Sequence, residues 1–127
     1  MRDELEIAIL MITHDFGVVA RMCDRVCVMY AGKVVESASA DVILNAPKHP
    51  YTMGLINSVP RMHNRVKRLF QIEGQPPDML DLPPGCRFAP RCPEVAEICE
   101  RSVPPETEIG PNHGVRCVMR RGIKLRD

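Results

Sequence analysis

A chain of 127 residues is long enough for one ordinary domain or two small lobes. Its 45% hydrophobic and 26% charged residues are an ordinary globular balance, and a net charge of +1 makes no electrostatic case for nucleic acid or an anionic membrane. Two Tyr, three Phe and no Trp leave little material for a base-stacking surface, and the longest apolar run, Ile7 to Ile12, is far short of the roughly 20 residues that span a bilayer.

The first residues carry Asp3, Glu4 and Glu6 where a secretory signal would carry basic residues followed by an apolar core. The chain therefore reads as cytosolic, with any membrane association coming through a partner. Six cysteines in a reducing compartment argue against a disulfide framework. Cys23 and Cys27 lie early, while Cys86, Cys92, Cys99 and Cys117 fall in the last third. The prolines concentrate between Pro47 and Pro111, which predicts a loop-rich second half. A small loop-rich core calls for a staple, and a metal is the cytosolic option.

In chain order, the continuous apolar run Ile7 to Thr13 predicts a strand buried on both faces, as in a parallel sheet covered by helices. His14-Asp15 follows, and Phe16 to Met22 has helical spacing with Asp15 as N-cap. Such a βα unit would present its functional residues at the C-terminal edge of the strand. Arg25 to Tyr30 and Lys33 to Glu36 read as two strands joined by a tight turn at Ala31-Gly32. Ala40 to Asn45 is a short helix capped by Ser39. Tyr51 to Val59 is a second helix, with Met53, Leu55, Ile56 and Val59 mostly on one apolar face, ended by Pro60. Arg61 to Arg68 is a basic linker, Leu69 to Ile72 a candidate short strand, and the Pro- and Gly-rich stretch from Gly74 to Gly85 a boundary. Beyond it, only Glu94 to Arg101 reads as helix and Val115 to Val118 as a closing strand.

Three constellations carry chemistry. His14, at the end of the first apolar run, could donate a hydrogen bond to a phosphate oxygen bound at that edge. Pro47-Lys48-His49-Pro50-Tyr51-Thr52, followed by Gly54-Leu55, reads from composition only as a proline-punctuated helix start. Cys86, Cys92, Cys99 and Cys117 have the spacing C-x5-C-x6-C-x17-C. Four soft thiolates in one proline-constrained segment suit an all-thiolate zinc site or an iron–sulfur cluster. His113, near Cys117, reads as a loop residue that could also serve as a substitute ligand or as a hydrogen-bond donor behind the ligands. Cys23 and Cys27 read as buried apolar residues.

The string from Leu10 to Ala38 resembles the tail of an ABC-type ATPase domain, in which a strand ends in a switch histidine, a helix crosses the sheet and a hairpin ends in a strand like Lys33-Val34-Val35-Glu36. The string His49-Pro50-Tyr51-Thr52 is similar to the oligopeptide and dipeptide permease branch of that family, and the cysteine segment resembles its C-terminal extension. The resemblance implies an α/β fold: the C-terminal part of an ABC nucleotide-binding domain (a P-loop NTPase) over residues 1–60, then a loop-rich cysteine lobe over 61–127. It implies that His14 contacts the γ-phosphate of ATP as a catalytic and nucleotide-binding residue. It also implies that Cys86, Cys92, Cys99 and Cys117 ligate a [4Fe–4S] cluster, with Zn2+ the alternative from spacing alone.

The function implied is coupling of ATP and Mg2+ binding and hydrolysis to peptide uptake. The implied partners are transmembrane permease subunits and a second ATP-binding subunit, on the cytoplasmic face of the cell membrane, with peptide handled indirectly and no nucleic acid. The rival reading is a stand-alone metal-binding interaction or redox-sensing module. The sequence contains no G-x-x-x-x-G-K-[ST] loop, no LSGGQ-like signature and no apolar strand ending in Asp-Glu. Those elements precede the switch histidine in the family, so the resemblance implies a truncated chain that does not hydrolyse ATP alone.

Overall fold

The computed structural model describes residues 2–59 and 71–120. Its elements in order are α1 (Arg2–Leu5), α2 (Phe16–Met22), β1 (Arg25–Tyr30), β2 (Lys33–Ser39), α3 (Ala40–Asn45), α4 (Pro50–Ser58), α5 (Glu97–Arg101), β3 (Thr107–Gly110) and β4 (His113–Val115). Single 3-10 turns lie at Ala89–Arg91 and Val118–Arg120. The four strands form one sheet in the order β1-β2-β4-β3, and every pairing is antiparallel.

The expected parallel sheet is thereby corrected among the described residues. The buried strand expected at Ile7 to Thr13 is corrected too. That segment has no regular structure and lies exposed, with Leu10 at 92% and Ile12 at 95% of full accessibility. An apolar run states what a segment needs to bury, not which neighbour buries it, and no described strand lies alongside.

Local chemistry sets the rest of this half. The Asp15 carboxylate accepts from the Gly17 and Val18 amides at the start of α2. The β1–β2 turn places both Ala31 (φ 46°) and Gly32 (φ 78°) in the left-handed region, the two-residue turn whose twist matches paired strands. Ala31 tolerates that conformation less well than glycine does, and its carbonyl accepts from the Arg87 guanidinium, which ties the turn to the cysteine segment. β2 runs three residues beyond the expected Glu36, to Ser39, which then caps α3 through the Val42 amide.

The β1–β2 pairing shifts register between Val28 and Met29: Val28 faces Glu36, and Met29 faces Val34. The extra residue is Val35. Such a bulge re-aims side chains, and here the adjacent Val35 and Glu36 are both buried. β1 otherwise alternates, so Cys27 is exposed, and Cys23, at the C-terminal cap of α2, is half-buried. The early cysteines are therefore not the core residues expected of them.

In α4 the buried positions are Pro50, Thr52, Gly54 and Ile56, with Leu55 packed against the core and Met53 exposed, so the inward face keeps Ile56 and Leu55 of the expected apolar set and otherwise uses small and polar residues. The apolar core gathers Val28, Tyr30, Val35, Ala38, Ile43 and Phe88, with Tyr51, Leu55, Cys86 and Cys92 against it. Phe88 is edge-on to Tyr30 at 5.2 Å between centroids and lies 5.4 Å from Tyr51. A second cluster joins Ile109, Val115 and Cys117.

The later segments are shorter than expected. The helix begins only at Glu97, because Pro93 and Glu94 make a turn. The closing strand is His113–Val115, and Val118 opens the 3-10 turn. Gln71 and Ile72 lie in no strand. Pro60, the basic linker 61–68 and residues 69–70 fall outside the described residues.

Candidate functional site

The four late cysteines are free thiols that the fold collects from three segments. Cys86 and Cys92 flank the Phe88 plug and its 3-10 turn. Cys99 sits on α5, and Cys117 follows β4. The Cys86 amide donates to the Cys99 carbonyl at 2.7 Å, which joins the first limb to α5. Gly85 makes that approach possible. A Cβ there would be driven into the Cys99 carbonyl oxygen and would lie 2.6 Å from the Glu100 carbonyl carbon. Cys92 lines an open groove of about 700 Å³ shared with Pro50, Met53, Gly54 and Pro90.

Burial dominates the electrostatics of the thiols. It pushes Cys92 up to about 11, and it raises Cys86 and Cys117 above the ordinary thiol value. Opposing it are backbone N–H groups aimed at sulfur: from Phe88 and Ala89 to Cys86, from Glu94 to Cys92, and from Met119 to Cys117. The thiols also act on one another. Cys92 is raised further by Cys117 and Cys86, and Cys117 by Cys86 and Cys99.

As a donor set the quartet fits a soft metal group, with N–H donors already directed at three of its sulfurs. The side chains are not gathered tightly enough for coordination. Among the described residues, no three His, Cys, Asp or Glu side chains stand where they could hold a metal ion.

His14 lies elsewhere, exposed at a bend before the α2 cap. The third constellation is internal. His49 is the N-cap of α4 and is 1% exposed; its Nδ1 accepts from the Tyr51 amide at 3.0 Å, and its other ring nitrogen bonds the Arg116 carbonyl. Burial lowers its pKa to about 4, outweighing the opposing pull of Glu36, so the ring is neutral at pH 7.

Glu36, also 1% exposed, accepts from the Lys48 amide (2.8 Å), the His49 amide (2.9 Å) and His113 Nε2 (2.6 Å). His113 is thus a buried strand residue and not a loop residue. Sequence reasoning did not pair these residues, which lie 77 positions apart. An acid within an apolar strand was the available signal for Glu36, and nearness to Cys117 the only one for His113.

An antiparallel sheet that receives a cysteine-bearing loop segment defines a small α/β domain. Its residues 35–99 match the model of the oligopeptide/dipeptide transporter C-terminal region. The chain belongs to that family. It is 46% identical over 112 residues to the dipeptide transport ATP-binding protein DppD of Bacillus subtilis, covering 88% of this chain and 33% of that protein. It is 48% identical over 106 residues to the oligopeptide transport ATP-binding protein OppD of Salmonella typhimurium, covering 84% and 32%. With OppD of Escherichia coli the identity is 46% over 117 residues, covering 92% and 34%. The chain spans about a third of the length of the curated relatives it matches.

Proposed function

We propose that this chain is the C-terminal portion of the ATP-binding subunit of a peptide-importing ABC transporter, coupling ATP binding and hydrolysis to peptide uptake in the intact subunit. The observation that carries the reading is identity of 46–48% across 84–92% of the chain to ATP-binding proteins of dipeptide and oligopeptide transport. No described helix is long and apolar enough to cross a membrane, which suits a subunit that works on the cytoplasmic face beside transmembrane permease partners and a second ATP-binding subunit.

In this reading residues 1–60 belong to the nucleotide-binding domain and 61–127 to the extension. ATP and Mg2+ bind the intact subunit, and His14 donates to the γ-phosphate. A single donor aimed at developing charge suffices to matter in phosphoryl transfer. Cys86, Cys92, Cys99 and Cys117 would hold a [4Fe–4S] cluster, which when bound supplies a four-point cross-link between the Cys86–Cys92 limb, α5 and the Cys117 limb. The amides of Phe88, Ala89, Glu94 and Met119 support the sulfurs from the protein side.

A chimera tests the transport reading. Residues 7–120 replace the matched third of the Bacillus subtilis dipeptide transport ATP-binding protein, and dipeptide uptake is measured in cells lacking that protein. Uptake is expected, and His14→Ala should abolish it while the purified chimera still binds ATP. A folded, ATP-binding chimera without uptake would count against the functional reading, and undiminished uptake with His14→Ala against the role of His14.

The metal reading is tested on the chain as it stands. After anaerobic purification it should carry about four iron and four sulfide. Serine at any of the four positions should lower that content, and Cys23→Ser or Cys27→Ser should not. One zinc per chain would replace the cluster with a zinc site, and six free thiols without metal would withdraw the claim.

A further inference from the structure

We propose that Glu36 is a positioning residue for the Cys117 limb: it holds β4, and through it Cys117, in register with the segment that leads into α4 and with the Phe88 plug. The proposal rests on the thiol-quartet reading for its consequence, but not for its geometry.

Three donors from two distant segments converge on this one carboxylate. Its Oε1 accepts from the Lys48 amide and from His113 Nε2, and its Oε2 accepts from the His49 amide. All three donors come from residues distant in sequence, and none belongs to the sheet ladder. β4 has only two paired positions on β2, Glu36 with Val115 and Ser37 with Gly114, supplemented by the Arg116 amide on the Val35 carbonyl at 2.8 Å. The other edge of β4 pairs with β3, its neighbour in the same late segment, so this short ladder is its sheet connection to the first half of the chain, and a further anchor there adds to it. His113 provides that anchor at the strand's first residue, four positions before Cys117.

His49 extends the connection in two directions. Its ring bonds the Arg116 carbonyl, immediately before Cys117, and lies 5.9 Å from the ring of Phe88, which stands between Cys86 and Cys92 in the chain. The far side of the Cys117 limb is held by Arg120, which donates to the Lys48 carbonyl at 2.9 Å and pairs with Glu94 beside Cys92. The segment Lys48-His49 is therefore gripped by Glu36 through its amides and in turn grips the Cys117 limb through a carbonyl and a ring.

Cys99 is independent of this assembly. It is held to Cys86 through the backbone, and among the described residues its helix makes no hydrogen bond to Glu36, His49 or His113. Loss of the Glu36 contacts should thus release Cys117 selectively and leave the Cys86–Cys99 junction closed. A general loss of stability would open all four thiols together.

Site-resolved alkylation of the intact, metal-free chain by iodoacetamide under anaerobic conditions, followed by peptide mass spectrometry, distinguishes these outcomes. In the native chain Cys27 should react first, and Cys99 and Cys117 slowly. Glu36→Gln keeps the shape but removes the charge and should speed labelling of Cys117 on the order of tenfold or more, as expected when a buried charge-assisted bond is lost, with Cys99 changed much less. His113→Leu should do the same. His113→Gln, which can place an N–H donor near the lost Nε2, should restore slow labelling. An unchanged Cys117 rate, equal acceleration of Cys99 and Cys117, or failure of His113→Gln to restore what His113→Leu loses would each overturn the proposal. The His113 pair keeps the test decisive if Glu36→Gln does not fold. Iron content is measured separately on the same variants. A native chain that binds no iron refutes the cluster and leaves the alkylation result to decide the role of Glu36.

Discussion

Phe88→Ala is expected to remove about 3–5 kcal/mol of folding stability, the usual cost of emptying a fully buried aromatic site. Phe88 is 2% exposed and belongs to the main core cluster, although its neighbours in sequence are the Arg87 and Ala89 of a loop. Its ring meets Tyr30 of β1, Tyr51 of α4 and the ring of His49 at the α4 cap, so truncation strips contacts from three rings in two segments at once. Aromatic pairs add to the area term, and the surrounding strands cannot close over the space while the flanking Cys86 and Cys92 segments hold their backbone bonds. A domain of this size is typically stable by only about 5–15 kcal/mol, so the loss consumes a large share. Urea unfolding of the two proteins at pH 7 measures it. A difference below about 1 kcal/mol would show that this plug is not part of the cooperative core.

His49 should make the fold acid-sensitive. Its pKa is about 4 in the folded chain against 6.5 as an ordinary histidine. Between those values the unfolded chain holds a proton that the folded chain refuses, so acidification favours unfolding. The stability is fully present above about pH 7 and is lost as the pH falls towards 4. The full difference is on the order of 3 kcal/mol, at 1.36 kcal/mol per unit. Carboxylates also titrate in this window, so the measurement compares slopes. His49→Asn keeps an N-cap acceptor for the Tyr51 amide but does not titrate. Its stability should be lower at pH 7 and should fall less steeply between pH 7 and 4.5 in denaturant titrations. Parallel slopes for the two proteins would remove His49 from the acid response.

What was legible in the sequence was mostly local. Asp15 before Phe16 and Ser39 before Ala40 announce helix caps by side-chain chemistry alone, and both caps form. Ala31-Gly32 between two β-branched runs announces a hairpin. The bulge at Val35 was not legible, because only the paired strand defines which residue is extra. Ile7 to Thr13 misled for a related reason: six apolar residues measure a demand for burial, and nothing in them names the surface that meets it. The four cysteines could be singled out by number and spacing. Their convergence depends on the β2–β4 pairing and the Phe88 plug, which bring together residues that the string separates by up to 31 positions. Glu36 and His113 were each in view, one in a strand and one near Cys117, but their pairing was not legible, since a buried acid is recognisable only by the donors around it.

Two glycines of the cysteine segment bear differently on how this family can drift in sequence. At Gly85 the obstacle to any side chain is the backbone of Cys99 and Glu100, which no substitution elsewhere can shorten, so the position admits a single letter. At Gly114 the obstacle is the Glu106 side chain, its Cδ 3.1 Å from where a Cβ would sit. That conflict disappears when residue 106 is small. Across related chains, position 114 should therefore vary in step with position 106, a larger residue at one accompanying a smaller one at the other, while position 85 should stay glycine and so covary with nothing.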